Sequence, residues 1–226
     1  MIEASTEIVV GVDRRGHSVV RRMHCEAPLL VRVVGGSGPL LSLAMVNGAA
    51  GPLGGDRLCL RLEVEAGAQV SVCSVAAAMA QPGPRGEPSH LNIDLVVGAK
   101  AHLDWRPQPT VSVAGSDHHT TMRLEATRSS TVTMREEVSL GRHEEQPGRF
   151  TLRERVLIDG LAVLDHETAF ATGALMGPGG QGGARVMATE VVIGSHLPEP
   201  AVVVSEGCLH STVHLSPVCA LMVSRG

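Results

Sequence analysis

Residues 58–72 read LCLRLEVEAGAQVSV, and this stretch decides the fold. Apolar residues stand at every second position from Leu58 to Val64, and such alternation predicts a strand with one buried face. Gly67 follows in a short turn, where glycine accepts a positive φ at little steric cost. A second alternating run begins directly after the turn. The stretch therefore predicts one strand–turn–strand unit.

The same unit recurs along the chain. LRLEVEAGAQVSV begins at Leu60, LNIDLVVGAKAHL at Leu91 and MRLEATRSSTVTM at Met122, so the three copies are equally spaced. A constant period in the range of about 20–50 residues is typical of stacked supersecondary units. We therefore predict an all-β protein built as a β-helix or solenoid-like stack of strands, with a β-sandwich of evenly spaced hairpins as the alternative. One short helix is predicted in the alanine-rich segment SVAAAMAQ (74–81), which Pro82 ends.

The composition excludes several classes of protein. Aromatic residues make up 1% of the 226 residues, so few side chains are available to stack on nucleic-acid bases. The formal net charge is −4 and no basic stripe is present, which argues against a nucleic-acid partner. No apolar stretch approaches the ~18–20 residues that a membrane helix needs. We expect neither a nucleic-acid nor a membrane partner.

The cysteines and the N-terminal segment indicate a compartment. The five cysteines are scattered and include no CxxC motif, which favours reduced thiols over a disulfide framework. MIEASTEIVV has none of the features of a signal peptide. We therefore expect a cytoplasmic protein. The chain also lacks a Gly-Lys-Ser/Thr phosphate loop and a G-x-S-x-G elbow, so no motif supports an enzyme.

Eleven histidines make metal binding the open question. Cys208, His210, His214 and Cys219 form C-x-H-x3-H-x4-C, and on a strand the first three share one face. Imidazole and thiolate suit nickel or zinc, but the spacing matches no standard zinc module. Strand packing, a transient weak site and a permanent site are the alternatives.

The pair His118-His119 follows a turn. Adjacent residues on a strand point to opposite faces, so both side chains cannot easily bind one metal ion. We therefore predict a solvated loop, with a transient metal contact as the alternative.

Two carboxylates fall on the apolar faces of predicted strands. Glu154 shares its face with Leu152 and Val156, and Glu136 is in line with Met134. A buried carboxylate needs a partner or a polar cavity. A buried pair with arginine is expected, and a water-filled passage for a cation lined by both carboxylates is the alternative.

Three segments in order resemble the urease accessory protein D family (UreD, also called UreH). They are GPLGGDRLCLRLEVEAGAQVSV (51–72), VVGAKAHLDWRPQPTVSVAGSD (96–117) and EEVSLGR (136–142), and APLLVRVV (27–34) resembles an upstream family strand. The Trp-x-Pro-Gln core after a Gly-Ala turn is the most specific match. We expect a single domain over residues 1–226, with a family-like core over about 20–170.

The resemblance implies a function without catalysis. Family members are maturation scaffolds that act with an F-type accessory protein and a G-type GTPase, dock on apo-urease and deliver nickel. It also implies a β-helix-like stack with two short helices, no tightly bound cofactor, transient nickel passage and a place in a hetero-oligomer. The residues then expected to contact partners, hold the scaffold or line a passage are Gly54, Gly55, Asp56, Trp105, Pro107, Gln108, Glu136, Gly141, Arg142 and Glu154. The residues expected to contact metal transiently are His118, His119, Cys208, His210 and His214.

The chain departs from the family pattern in three places. CSVAAAMAQPGP (73–84) lacks the lysine and aromatic residue of the family, Arg149 stands where glutamate is usual, and a terminal helical segment is expected to be absent. Partner contacts through these elements are expected to differ. The alternative function is an autonomous nickel or zinc carrier, or a metalloenzyme, that uses Cys208, His210 and His214.

Overall fold

The computed structural model describes residues 1–36, 38–170, 184–205 and 208–226, and over these ranges it contains strands and no helix. No segment among them could therefore cross a membrane as a helix. The strands are β1 (Glu3–Val12), β2 (Ser18–Cys25), β3 (Leu29–Gly35), β4 (Leu40–Asn47), β5 (Arg57–Val64), β6 (Gln69–Ser74), β7 (Ala78–Ala80), β8 (Ser89–Val97), β9 (His102–Arg106), β10 (Thr110–Ser112), β11 (Asp117–Ala126), β12 (Thr131–Leu140), β13 (Arg149–Ile158), β14 (Leu161–Phe170), β15 (Val186–Ile193), β16 (Ala201–Ser205), β17 (Cys208–Ser216) and β18 (Cys219–Arg225).

The strands form two sheets. Sheet A has the order β14-β13-β11-β8-β5-β1-β2, and sheet B has the order β16-β17-β18-β15-β12-β9-β6-β4-β3, with β10 paired to β12 and β7 paired to β10. The middle strands of both sheets are parallel. Each coil of the chain supplies a strand to sheet A and the next strand to sheet B, as β5–β6, β8–β9 and β11–β12 do. The prediction of an all-β, solenoid-like stack is confirmed.

The register of the coils corrects the sequence repeat in one detail. Leu60 pairs with Ile93, and Ile93 pairs with Met122, so the first step of the stack is longer than the second although the sequence copies are equally spaced. The alignment of Leu91 with Leu60 and Met122 is therefore wrong by two positions. A shift of two preserves the alternation of faces, so the predicted inward residues remain inward.

The core lies between the two sheets and consists mainly of aliphatic residues. The inward positions of β5, Leu58, Leu60, Leu62 and Val64, are each at most 3% exposed. Trp105 and Leu103 of β9 are 1% and 0% exposed, so both side chains point into this core.

The alanine-rich segment 74–81 does not form a helix, and the prediction there is wrong. Ser74 ends β6, and Ala78–Ala80 form β7, which pairs in parallel with Thr110–Ser112. Gln81 bridges to Leu53. These hydrogen bonds to distant strands outweigh the modest helix propensity of alanine. The two short helices that the resemblance implied are absent from the described ranges as well.

Gly98 marks a close approach of two coils. Its N–H donates to Val64 O at 2.8 Å. A methyl group added at Gly98 would lie 2.8 Å from Ala66 N and 3.1 Å from Glu65 C, which are backbone atoms of the preceding coil. The turn therefore has no room for a side chain.

We expect Gly98→Ala to lower the free energy of unfolding by about 1–3 kcal/mol, because the added methyl group forces the two coils apart. Gly194→Ala is the matched control. That glycine is buried, but its added methyl group would be 3.8 Å from the nearest atom, Thr131 Cγ2. Urea denaturation of both variants checks the prediction, and equal midpoints would contradict it.

Candidate functional site

Glu136 and Trp105 form a buried polar contact inside the stack. Both lie on the inward faces of the neighbouring strands β12 and β9, and they are 8% and 1% exposed. The indole Nε1–H of Trp105 donates to Glu136 Oε1 at 2.7 Å. Burial raises the pKa of Glu136 to about 8, the indole hydrogen bond opposes that shift, and the nearby Glu154 adds to it. At neutral pH the carboxyl group of Glu136 is mainly protonated.

Glu154 approaches from the opposite sheet. It lies in β13 of sheet A, is 0% exposed, and accepts a hydrogen bond of 2.9 Å at Oε1 from Thr189 Oγ1 of β15. Thr189 is the cross-strand partner of Glu136, so the threonine connects the two carboxyl groups across the core. Burial raises the pKa of Glu154 to about 7, and the bond from Thr189 opposes that shift.

Neither carboxyl group forms an ion pair within the part of the chain that the structure describes, so the expected pair with arginine is wrong. The physical reason is that a protonated carboxyl group needs hydrogen-bond partners rather than a cation. Glu154 Oε2 lacks even these, because it is buried with no hydrogen-bond partner among the described atoms. An unsatisfied buried oxygen costs about 1–3 kcal/mol.

Glu136 also lines a cavity of about 140 Å³. Most of its wall is apolar, and Glu136 is the one ionisable residue among the described residues that line it. The wall also includes Trp105, Pro107 and Gln108, three residues that the family resemblance singled out. Gln108 is exposed and its backbone N–H donates to Ser74 Oγ at 2.7 Å. The bend after β9 thus forms a wall of this cavity.

A second cavity of about 120 Å³ adjoins the first, because both are lined by Leu29, Asn47, Ala78 and Leu91. Asp56 lines the second cavity and is 3% exposed. Its Oδ1 accepts from Ile2 N at 2.7 Å and its Oδ2 accepts from Leu53 N at 3.1 Å. Asp56 therefore fixes its own loop to the first strand.

The glycines before Asp56 permit this loop. Gly55 has a φ of 93°, in the left-handed region. A methyl group added at Gly54 would lie 2.2 Å from Gly83 N, so the loop touches the backbone of the next coil.

Gly141 and Arg142 form a separate turn at the surface. Gly141 has a φ of 77°. The guanidinium group of Arg142 donates to Glu145 Oε1 at 2.7 Å and holds the pKa of that carboxyl group down, to about 2. Arg185 Nη2 donates to Leu140 O at 2.9 Å and to Arg142 O at 3.3 Å. The turn is thus held in one conformation from both sides.

His118 and His119 lie in strand β11, so the prediction of a solvated loop is wrong. Pairing with β8 and β13 begins at the start of β11 and turns His118 inward, where it is 1% exposed. Ser89 Oγ lies 2.8 Å from His118 Nδ1 and Thr120 Oγ1 lies 3.1 Å from its Nε2. Burial lowers the pKa of His118 to about 3. His119 points outward, as expected for the next residue of a strand.

The C-terminal histidines lie in β17 and are exposed. His210 Nδ1 lies 2.9 Å from Ser224 Oγ, and His214 Nε2 lies 2.8 Å from Pro198 O. Cys219 is buried in β18, where burial raises the pKa of its thiol to about 11. None of the five cysteines forms a disulfide. Within the described ranges, no group of three or more His, Cys, Asp or Glu residues is placed to hold a metal ion.

Sequence reasoning missed Thr189, the residue that connects the two carboxyl groups. Its strand reads VMATEVVI, and Ala188 and Thr189 are both buried in it, so alternation alone does not mark Thr189 as inward. The antiparallel register of β15 with β12 was needed to place it beside Glu136.

We expect Trp105→Phe to lower the free energy of unfolding by about 1–3 kcal/mol, because Glu136 then loses its buried donor. Trp105→Ala also leaves a cavity and should cost about 3–5 kcal/mol. Urea denaturation measures both values. A Trp105→Phe variant as stable as the parent protein would contradict the importance of the indole hydrogen bond.

The two carboxyl groups should also make stability depend on pH. Each folded-state pKa lies above the ordinary value of 4.5, so the folded protein keeps protons that the unfolded chain releases. The free energy of unfolding then falls with rising pH until about pH 7 for Glu154 and about pH 8 for Glu136. His118 has the opposite effect, because its pKa is lowered: the free energy of unfolding rises with pH as the unfolded chain loses this proton. That effect is confined to pH values below the ordinary pKa of 6.5.

The window from pH 6.5 to 8 therefore isolates Glu136 best, with a slope of up to about 1.4 kcal/mol per pH unit. We expect Glu136→Gln to flatten the dependence of unfolding free energy on pH in this window. Glu125→Gln, at an outward position of β11, is the control and should leave the slope unchanged. Urea denaturation at half-unit steps of pH gives the measurement, and equal slopes in all three proteins would contradict the prediction.

Comparison with known proteins identifies the family of this fold. The family model described as UreD urease accessory protein matches residues 4–220. The urease accessory protein UreD of Streptomyces coelicolor is 35% identical over 195 residues, which cover 85% of this chain and 77% of that protein. UreD of Streptomyces avermitilis is 35% identical over 193 residues, covering 85% and 75%, and UreD 3 of Streptomyces griseus is 36% identical over 199 residues, covering 87% and 76%. The resemblance seen in the sequence segments is confirmed, and the chain belongs to the UreD family of urease accessory proteins.

Proposed function

We propose that this protein is a single-domain, non-catalytic scaffold for urease maturation that helps to deliver nickel to apo-urease. Family membership supports a role in urease maturation. In the proposal it acts in the cytoplasm, within a hetero-oligomer that includes an F-type accessory protein and a G-type GTPase. The observation that carries the nickel step is the pair Glu136 and Glu154, two carboxyl groups that are buried between the sheets and have no ion-pair partner in the described part of the chain.

The chemistry of the pair suits a passing cation. When both carboxyl groups are protonated, they can exchange their two protons for one divalent ion, so the charge of the site is conserved. Two oxygen ligands bind nickel less firmly than a set of imidazoles or thiolates. Passage requires this balance, because an ion must bind well enough to enter and weakly enough to leave.

The adjoining cavities supply a route for the proposal. The first is bounded by exposed Gln108 and reaches Glu136, and the second holds Asp56. Both cavities are lined by Leu29, Asn47, Ala78 and Leu91, and in the proposal motion of these side chains connects the two cavities. In this proposal Asp56 and Glu136 are successive oxygen ligands, and no residue holds the ion permanently.

Two turns, the first buried and the second carrying exposed Arg142, are proposed to position contacts with partners. The Gly54–Gly55–Asp56 loop and the Gly141–Arg142 turn are both held in a single conformation by buried or bidentate hydrogen bonds. A preformed turn loses little conformational entropy on binding.

Glu136→Gln tests the nickel step. Glutamine has nearly the same shape and still accepts the Trp105 hydrogen bond, but it cannot take the charge of a carboxylate. We expect several-fold less nickel per urease active site and correspondingly less urease activity, with unchanged co-purification of the F-type protein and apo-urease. The measurement is metal analysis of urease matured with each variant.

Glu125→Gln serves again as the control, because it removes one carboxylate from the outer face. Full nickel loading with the Glu136→Gln, Glu154→Gln double variant would overturn the proposed route. Loss of co-purification in the double variant would instead assign these residues to assembly of the complex.

A further inference from the structure

His119 has a neighbour that the sequence does not reveal. Its direct cross-strand partner in parallel register is His90 of β8, in the preceding coil. The two imidazole rings lie side by side on the outer face of sheet A, with centroids 5.1 Å apart and planes at 19°. Both side chains are partly exposed, so solvent and ions reach them.

His119 is already oriented by a carboxylate. Its Nε2 lies 3.2 Å from Asp117 Oδ1, on the same strand and the same face. Arg149 of β13 donates to Asp117 Oδ2 at 2.6 Å and fixes that carboxylate. With Nε2–H directed at Asp117, the lone pair of Nδ1 is available for a ligand. A carboxylate on the far nitrogen is the arrangement that commonly orients a metal-binding histidine.

His90 supplies the second nitrogen. Its ring has no hydrogen-bond partner among the described residues, although the side chain is half-buried. Burial lowers the pKa of His90, and the neighbours His119 and Arg57 lower it further. The imidazole is therefore neutral at pH 7, which is the form that binds metal ions.

We propose that His90 and His119 form a two-imidazole site for a late first-row divalent cation such as nickel or zinc. Bonds of about 2.0–2.1 Å from two nitrogens to one ion require the nitrogens to lie within about 4 Å of each other. In the proposal the ring of His90 rotates about χ2, which is a soft torsion in histidine, toward Nδ1 of His119, and His119 keeps its contact with Asp117. Water completes the coordination sphere.

The surroundings make the site weak and exchangeable. Arg57 is the cross-strand partner of His90 on its other side, and Arg149 lies beside Asp117. These two positive charges outnumber the one negative charge of Asp117, so the surroundings disfavour a cation. Asp117 orients His119, and within the described ranges no group of three His, Cys, Asp or Glu residues is placed to hold a metal ion. The inference does not depend on the proposed nickel route through the core, because this pair lies on the opposite, outer side of sheet A.

Titration of the isolated, untagged protein with nickel chloride tests the proposal. NMR of the histidine side chains or calorimetry should show one ion per chain, and binding should weaken at least tenfold in both His90→Ala and His119→Ala. The loss of binding free energy in the double variant should be clearly smaller than the sum of the two single losses, since both rings hold one ion. Asp117→Asn should weaken binding about tenfold by releasing His119.

His102→Ala is the matched control. That histidine is also partly exposed on a strand, but its cross-strand partners are Gln69 and Thr131, in sheet B. Unchanged binding in His90→Ala, or an equal loss in His102→Ala, overturns the proposal. Circular dichroism confirms that each variant is folded. Because the titration contains no urease, its result is independent of the fate of the proposed delivery function.

Discussion

The parallel pairing of β5, β8, β11 and β13 is the constraint on which the other features of the molecule depend. Parallel strands of a stack cannot slip by one residue without turning every inward side chain to the surface. The apolar faces therefore exclude any shift of register by an odd number of residues. The same pairing buries Glu154 opposite sheet B and brings His90 beside His119. One register therefore determines both the interior carboxyl groups and the exterior imidazoles.

Much of this fold could be predicted because alternation is a local signal. The strands and the inward residues of β5 follow from the side-chain period of two. The register itself could not be predicted. The sequence copies are equally spaced, whereas the paired residues are further apart in the chain between β5 and β8 than between β8 and β11, and both registers leave the same residues facing inward. SVAAAMAQ was mistaken for a helix for a related reason, because its strand exists only through pairing with β10.

The same distinction between local and long-range information applies to the candidate site. Sequence alone placed Glu136 and Glu154 on inward faces, because each stands in an alternating strand. Their partners depend on strands far apart in the chain: Thr189 is 35 residues from Glu154, and Trp105 is 31 residues from Glu136. The expectation of an arginine partner assumed ionised carboxylates, whereas burial favours the protonated form and removes the need for a cation.

The buried polar residues of this core differ in how completely their polar atoms are hydrogen-bonded, and this difference distinguishes His118 from Glu154. His118 is as buried as Glu154, but Ser89 and Thr120 lie within hydrogen-bonding distance of its two ring nitrogens, so a structural role in the core accounts for it.

Glu154 has no hydrogen-bond partner for Oε2 in the described structure, at a position where leucine or methionine would pack between Leu152 and Val156. Replacing buried polar groups by apolar residues is often neutral or stabilising, so stability alone does not explain a glutamate there. Positions that break the local rules of a fold are where a function is expected. The unsatisfied oxygen of Glu154 is therefore a stronger pointer to cation passage than burial or a shifted pKa, both of which His118 shares.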